Sequence, residues 1–148
     1  MDWLQPRKRS NGEKPSWQVL HSVSKMNLKI KKIDHVQLSI PAGSEPAARK
    51  FYTEILGLTE IEKPAALKPN GGLWFLMADI QLHLGIEDNP GKVKRHPAFE
   101  VENLEQAKAY LQAQGVEIKE EIPLHGIDRF SFFDPFGNRI ESLIKQTG

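Results

Sequence analysis

Five side chains in this sequence have the types and placement for metal or proton chemistry: His35, Gln81, His83, His96 and Glu141. Two imidazoles and a carboxylate held on separate strands suit a divalent ion that keeps positions open for water or substrate. Such an ion polarises a bound oxygen and lowers the barrier to proton or oxygen chemistry. Arg129 adds a guanidinium able to grip a carboxylate or phosphate with two parallel hydrogen bonds; the equal alternative is an ion pair with Asp128 or Glu141. Ordinary readings stand beside these. His35 and Glu141 could be solvent-facing strand residues, and His96, between a basic linker and Pro97, could be a surface residue. His83 divides evenly between ligand, support for a ligand, and wall of the site. His125, in the loop PLHGID, is read as solvated, and His21 belongs to the N-terminal segment.

The spacing links these residues. His35 lies 46 residues before Gln81, and His96 lies 45 residues before Glu141. A glycine closes each following helix, Gly57 at 22 residues after His35 and Gly115 at 19 after His96. A repeat of this kind pairs about a pseudo-twofold axis, which brings equivalent positions together.

The elements that must position them follow from periodicity. KIKKIDHVQLSIP reads as a strand with Val36, Leu38 and Ile40 opposite His35, Gln37 and Ser39, stopped by Pro41. Ser44 is a candidate cap for a helix that tolerates Pro46 in its first turn and stacks Ala47, Ala48, Phe51, Tyr52, Ile55 and Leu56 on one face. TEIEKP is a short strand, KPAALKPNGG a loop, and LWFLM with IQLHLGI a hairpin across Ala78 and Asp79. The polar EDNPGKVKR is a linker, after which the pattern restarts. HPAFEV is a strand, ENLEQAKAYLQAQG a helix, VEIKEEIP a strand, and RFSFF with RIESLIK a hairpin across the DPFGN turn. DPFG is read as a tight turn rather than a phosphate or metal loop.

The expected fold is therefore α+β, two paired βαβββ modules at about 28–88 and 92–147 forming a cupped mixed sheet. Polar positions share one face and apolar positions the other. Leu73, Phe75 and Met77 are expected on the cup side opposite Arg129, which would suit a small organic acid or an aromatic ligand.

Composition narrows the function. A chain of 148 residues, 39% hydrophobic, is long enough for one domain or two small modules sharing a core. A net charge of +1 and the lack of a basic, aromatic-laced stripe argue against nucleic acid. No stretch approaches a membrane span, and the first 25 residues lack a signal-type apolar run, so a cytoplasmic protein is expected. The chain contains no cysteine, which excludes a protein thiol from the chemistry. Residues 1–27 read as a poorly ordered extension, with an arm onto a partner subunit through Trp3 and Trp17 as the alternative; Met26 leaves the true start open.

IDHVQLSIP with RKFYTEILGL resembles the first module of the glyoxalase/bleomycin resistance/extradiol dioxygenase (vicinal oxygen chelate) superfamily. HPAFEVENLEQAKAYLQAQGVEI and FFDPFGNRIESL resemble the second, so the likeness runs from about Lys29 to Lys145. It implies ligands on the first and fourth strands of each module, slots filled by His35, Gln81, His96 and Glu141, with His83 two residues beyond Gln81. It further implies a divalent metal (Fe, Mn, Zn or Ni), a small-molecule substrate, and a homodimer. The activity implied is that of a lyase, isomerase or dioxygenase, with Glu141 and Arg129 as catalytic candidates. The non-catalytic alternative is a drug- or metabolite-binding protein of the bleomycin-resistance type. Gln81 stands where a glyoxalase I would carry an ionisable group. Gln37 and Arg129 stand where fosfomycin-modifying enzymes carry threonine and, nearby, serine, and familiar extradiol dioxygenases are about twice as long.

Overall fold

A computed structural model describes residues 28–88, 91 and 93–146. The expected extension 1–27 lies outside the described residues. The chain divides at Ile33/Asp34 into an N-terminal unit, of which 28–33 are exposed and without regular structure, and a second unit that holds every regular element among the described residues.

The second unit carries the same strand–helix–strand–strand–strand sequence twice. The first module comprises β1 (His35–Ile40), α1 (Glu45–Arg49, continuing as a π-helix over Lys50–Ile55), β2 (Thr59–Ile61), β3 (Leu73–Met77) and β4 (Ile80–Ile86). The second comprises β5 (Ala98–Glu100), α2 (Leu104–Ala113), β6 (Ile118–Glu120), β7 (Ile127–Phe133) and β8 (Arg139–Lys145). Each forms a four-stranded mixed sheet in the same order, β1-β4-β3-β2 and β5-β8-β7-β6, with the first and last strands parallel. The α+β class and the two βαβββ modules are those expected from the sequence.

Local chemistry explains the departures. β1 starts at His35 rather than at Lys29. Ser44 does not cap α1; its hydroxyl donates to the Pro41 carbonyl at 2.5 Å. The Leu56 N–H reaches back to the Phe51 carbonyl at 3.0 Å, and this wider turn leaves the consecutive Phe51 and Tyr52 both buried. Asn103 caps α2, its side chain accepting from the Gln106 N–H at 3.0 Å. The loop before β3 contains a 3-10 helix, Ala65–Asn70.

The core lies between sheets and helices. Leu38, Ile40, Phe75, Leu82 and Leu84 pack with Ala48, Phe51 and Tyr52, and Phe130, Phe132 and Ile140 with Leu104 and Leu111. Each such side chain contributes about 1.5–3 kcal/mol by leaving water. Leu73, Phe75 and Met77 belong to this core, correcting their expected place in the cup. Register decides it: Trp74 lies opposite His83 and Leu76 opposite Gln81, so these two share the polar face.

The modules are tied by buried polar bonds. Tyr52 Oη donates to Asp134 Oδ2 at 2.6 Å, and Asn138 Nδ2 donates to the Ser39 carbonyl at 2.8 Å and to Asp134 Oδ2 at 2.7 Å. Asp134 Oδ1 meanwhile accepts from the Phe136 and Asn138 N–H groups, so the DPFGN turn is built around this carboxylate.

Candidate metal centre

In the first module, alternation along β1 and β4 places His35, Gln37, Gln81 and His83 on one face. His83 is buried, with its ring sandwiched: the Trp74 indole lies parallel at 3.8 Å and the His35 ring at 4.0 Å. Gln81 Oε1 is 2.9 Å from His83 Nε2. His35 is half exposed, and its Nδ1 lies 2.9 Å from Asp34 Oδ2. A carboxylate on Nδ1 fixes the tautomer that carries its lone pair on Nε2. Burial, then the neighbouring His35, pushes the His83 imidazole below its usual range, favouring its neutral form. These residues line a cavity of about 820 Å³ together with Lys63, Asn70 and Trp74.

In the second module, β8 presents Glu141, buried, with His96 just ahead of β5. His96 Nδ1 lies 2.8 Å from the Lys94 carbonyl, and Nε2 lies 3.0 Å from Glu141 Oε2. A carbonyl only accepts, so Nδ1 carries a hydrogen and Nε2 is the nitrogen offered to the carboxylate. Glu141 Oε1 accepts from Arg129 Nη1 at 3.0 Å, while Arg129 Nε and Nη2 donate to the Ile122 carbonyl at 3.3 and 3.1 Å. Of the two readings of Arg129, the geometry has the ion pair with Glu141. Beside it, Glu121 is held by Ser131 and Arg139, and these contacts outweigh its burial to keep the carboxyl below its usual range.

Register corrects the repeat as counted from spacing. Glu141 stands opposite Ala98, two residues after His96, and opposite Ser131 on β7. The residue opposite Gln37, two after His35, is His83, which also faces Trp74 on β3. Relative to the two histidines, the counterpart of Glu141 is therefore His83, not Gln81. Linear counting missed this because the connections differ in length between the modules.

The structure brings these donors together in two groups, His35 with Gln81 and His83, and His96 with Glu141 and Arg129. His96 and Glu141 do not line the first module's cavity. Among the described residues, no three His, Asp or Glu side chains converge on a point that could hold a metal. The donor chemistry suits a divalent ion, but the described residues of one chain do not assemble a site for it. Sequence reasoning missed Trp74, Lys63 and Asp34. Counting outward from the Ala78–Asp79 turn, which pairs Met77 with Ile80, would have found Trp74 opposite His83.

The fold and these two donor groups define a vicinal-oxygen-chelate type of protein. Residues 32–142 match the model of the Glyoxalase/Bleomycin resistance protein/Dioxygenase superfamily, and the chain belongs to that family. A glyoxalase family protein from Bacillus anthracis is similar at 43% identity and a TM-score of 0.76, over 82% of this chain and 100% of that one. A glyoxalase family protein from Enterococcus faecalis shares 28% identity at a TM-score of 0.64, over 77% and 98%. The fosfomycin resistance protein FosX from Listeria monocytogenes, complexed with Mn(II) and sulfate, shares the fold at 21% identity and a TM-score of 0.63, over 79% and 92%. No curated protein matches. No helix among the described residues is long and apolar enough to cross a membrane.

Proposed function

We propose that this protein is a metal-dependent enzyme acting on a small molecule with vicinal oxygens, its site completed by the first module of one chain and the second module of another. The observation that carries this reading is the convergence of His96 Nε2 and Glu141 Oε2 at 3.0 Å while His96 Nδ1 is committed to a carbonyl. Two of the three donors are thus already aimed at one point, and His35, with Nδ1 held by Asp34, offers the third from a separate surface. β1 and β5 are sheet-edge strands, and pairing such edges in a homodimer would join the two groups.

A bound divalent ion would supply Lewis acidity toward the substrate oxygens. The chain's own residues divide the remaining work. His35, His96 and Glu141 hold the ion, and Gln81 or His83 completes or adjusts its surroundings. Arg129 holds Glu141 Oε1, which orients Oε2. The first module's counterpart of Glu141 is His83, which is not a carboxylate, so among the proposed ligands a proton moved by a carboxylate is moved by Glu141. That arrangement supports a lyase, isomerase or dioxygenase with one acid–base carboxylate over a relay between two. Iron, manganese, zinc and nickel all suit the donor set, and the Mn(II) complex of FosX makes manganese the first ion to try.

Subunit complementation tests the reading. His35→Ala and Glu141→Ala proteins are each expected to bind no manganese. Unfolded together and refolded as a mixture, they form mixed dimers with one intact site, so metal binding returns to about one quarter per chain for random pairing. A site made within one chain gives none in the mixture. No metal in the parent after incubation with all four ions sinks the enzyme reading and leaves a ligand-binding protein.

A further inference from the structure

The first module's cavity says something about the ligand that its metal donors do not. At about 820 Å³ it has the size of a small-molecule site. Trp74 lines it with a flat indole, one face of which is covered by the parallel His83 ring at 3.8 Å. Gln37, Asn70 and Gln81 contribute neutral amides, and the carboxylate of Asp34 is turned to His35 Nδ1. Among the described residues lining this cavity, Lys63 alone carries a permanent positive charge.

Lys63 is half buried and held in place. Its ammonium donates to the Gly71 carbonyl, and the neighbouring Gly72 N–H donates to Glu45 Oε1 at 3.3 Å, pinning the loop that carries the 3-10 helix. Arg129, the cation paired with the second module's carboxylate donor, is occupied by Glu141 and the Ile122 carbonyl.

We propose that this cavity takes a small planar carboxylate, with Lys63 Nζ binding the carboxylate group and the open face of the Trp74 indole as the flat surface beside its ring. The inference rests on the small-molecule reading above and adds the charge and shape of the ligand. An ammonium already positioned in a partly desolvated cavity makes a charge-assisted hydrogen bond that a neutral isostere cannot.

Titration calorimetry with two probes of nearly equal shape tests it. Phenylglyoxylate and 1-phenylpropane-1,2-dione share the ring and the vicinal oxygens and differ by carboxylate against acetyl. The parent protein, with and without manganese, is expected to bind the acid about tenfold or more tightly than the dione. Lys63→Met is expected to remove that preference while leaving the dione unchanged, and Lys63→Arg to restore most of it. Equal binding of the two probes, binding of neither, or a preference surviving in Lys63→Met overturns the proposal. The metal reading is judged separately: manganese binding without a preference for the acid sinks Lys63 alone. A preference lost in Lys63→Met, in protein that binds no metal, upholds Lys63 and sinks the metal.

Discussion

His96 Nε2 and Glu141 Oε2 meet at 3.0 Å across 45 residues of chain, with the other imidazole nitrogen already bonded to the Lys94 carbonyl. A hydrogen bond at this contact needs a proton between Nε2 and Oε2, and a metal taking those lone pairs must displace it. Manganese binding is expected to release protons, visible as a dependence of the calorimetric enthalpy on the buffer's ionisation enthalpy. Glu141→Gln and His96→Ala are each expected to weaken binding at least about 100-fold, the loss of one ligand from a small set. Binding heats identical in all buffers would show that this pair is not where the ion sits.

The sandwich of His83 between Trp74 and His35 makes a second expectation. Burial and His35 hold the His83 pKa below its ordinary 6.5. A protonated imidazole against the indole face perturbs its emission. In a background where Trp3 and Trp17 are phenylalanine, Trp74 fluorescence should change on acidification with a midpoint below 6.5, and His83→Gln should abolish the change. The linked stability has a definite sign. Because the folded value is depressed, the contribution is present above 6.5 and is lost as pH falls through the folded value. A midpoint above 6.5 would contradict the buried stack.

Much of this architecture was legible in the residues. Alternation of apolar and polar residues gave β4 and β8 their bounds, because a one-residue slip would turn every side chain over, although both faces are buried at the middle of each strand. Both helices and the DPFGN turn were readable from their apolar faces and turn residues. LWFLM was readable as a hairpin strand but its facing was not, since apolar residues at every position leave its phase undefined until the turn sets the register with β4. The repeat failed for a related reason: residue counts through loops do not fix which residues pair, so Gln81 took the place that belongs to His83. Trp74 and Lys63 had no local signal, as a tryptophan in an apolar strand and a lysine in a loop are ordinary.

Two glycines at the β3–β4 pair, Gly72 and Gly85, should differ sharply on substitution. A Cβ at Gly72 would lie 2.1 Å from the Leu84 carbonyl oxygen, in a backbone conformation with φ of +84°. Neither the strand backbone nor the dihedral can yield cheaply, so Gly72→Ala is expected to cost about 2–4 kcal/mol. At Gly85 the obstacle is the end of the Gln37 side chain, at 2.5 Å, with φ outside the left-handed range. That amide can swing away, so Gly85→Ala is expected to cost roughly 1 kcal/mol or less. Chemical denaturation of the two variants should show the gap. Equal losses would mean that β3 and β4 are not held as tightly as their register implies.

Tyr52 and Asp134 carry the last prediction, which concerns how the modules stay together. The Tyr52 hydroxyl is fully buried and donates to Asp134 Oδ2, and the same carboxylate takes three further hydrogen bonds from Phe136 and Asn138. Burial nonetheless raises the Asp134 pKa above 3.8, with the Tyr52 bond as the largest opposing influence. Removing that hydroxyl leaves a buried carboxylate short of a donor, so Tyr52→Phe is expected to cost about 1–3 kcal/mol at neutral pH. Its pH dependence separates this cause from lost packing. A raised folded value means stability that is present below 3.8 and is lost as pH rises through the folded value. Losing the Tyr52 bond raises that value further, so the variant recovers more on acidification than the parent does. The difference between the two proteins should therefore shrink as pH falls from neutral toward the acid range. A gap constant with pH would place the loss in packing and deny the carboxylate its part in joining the modules.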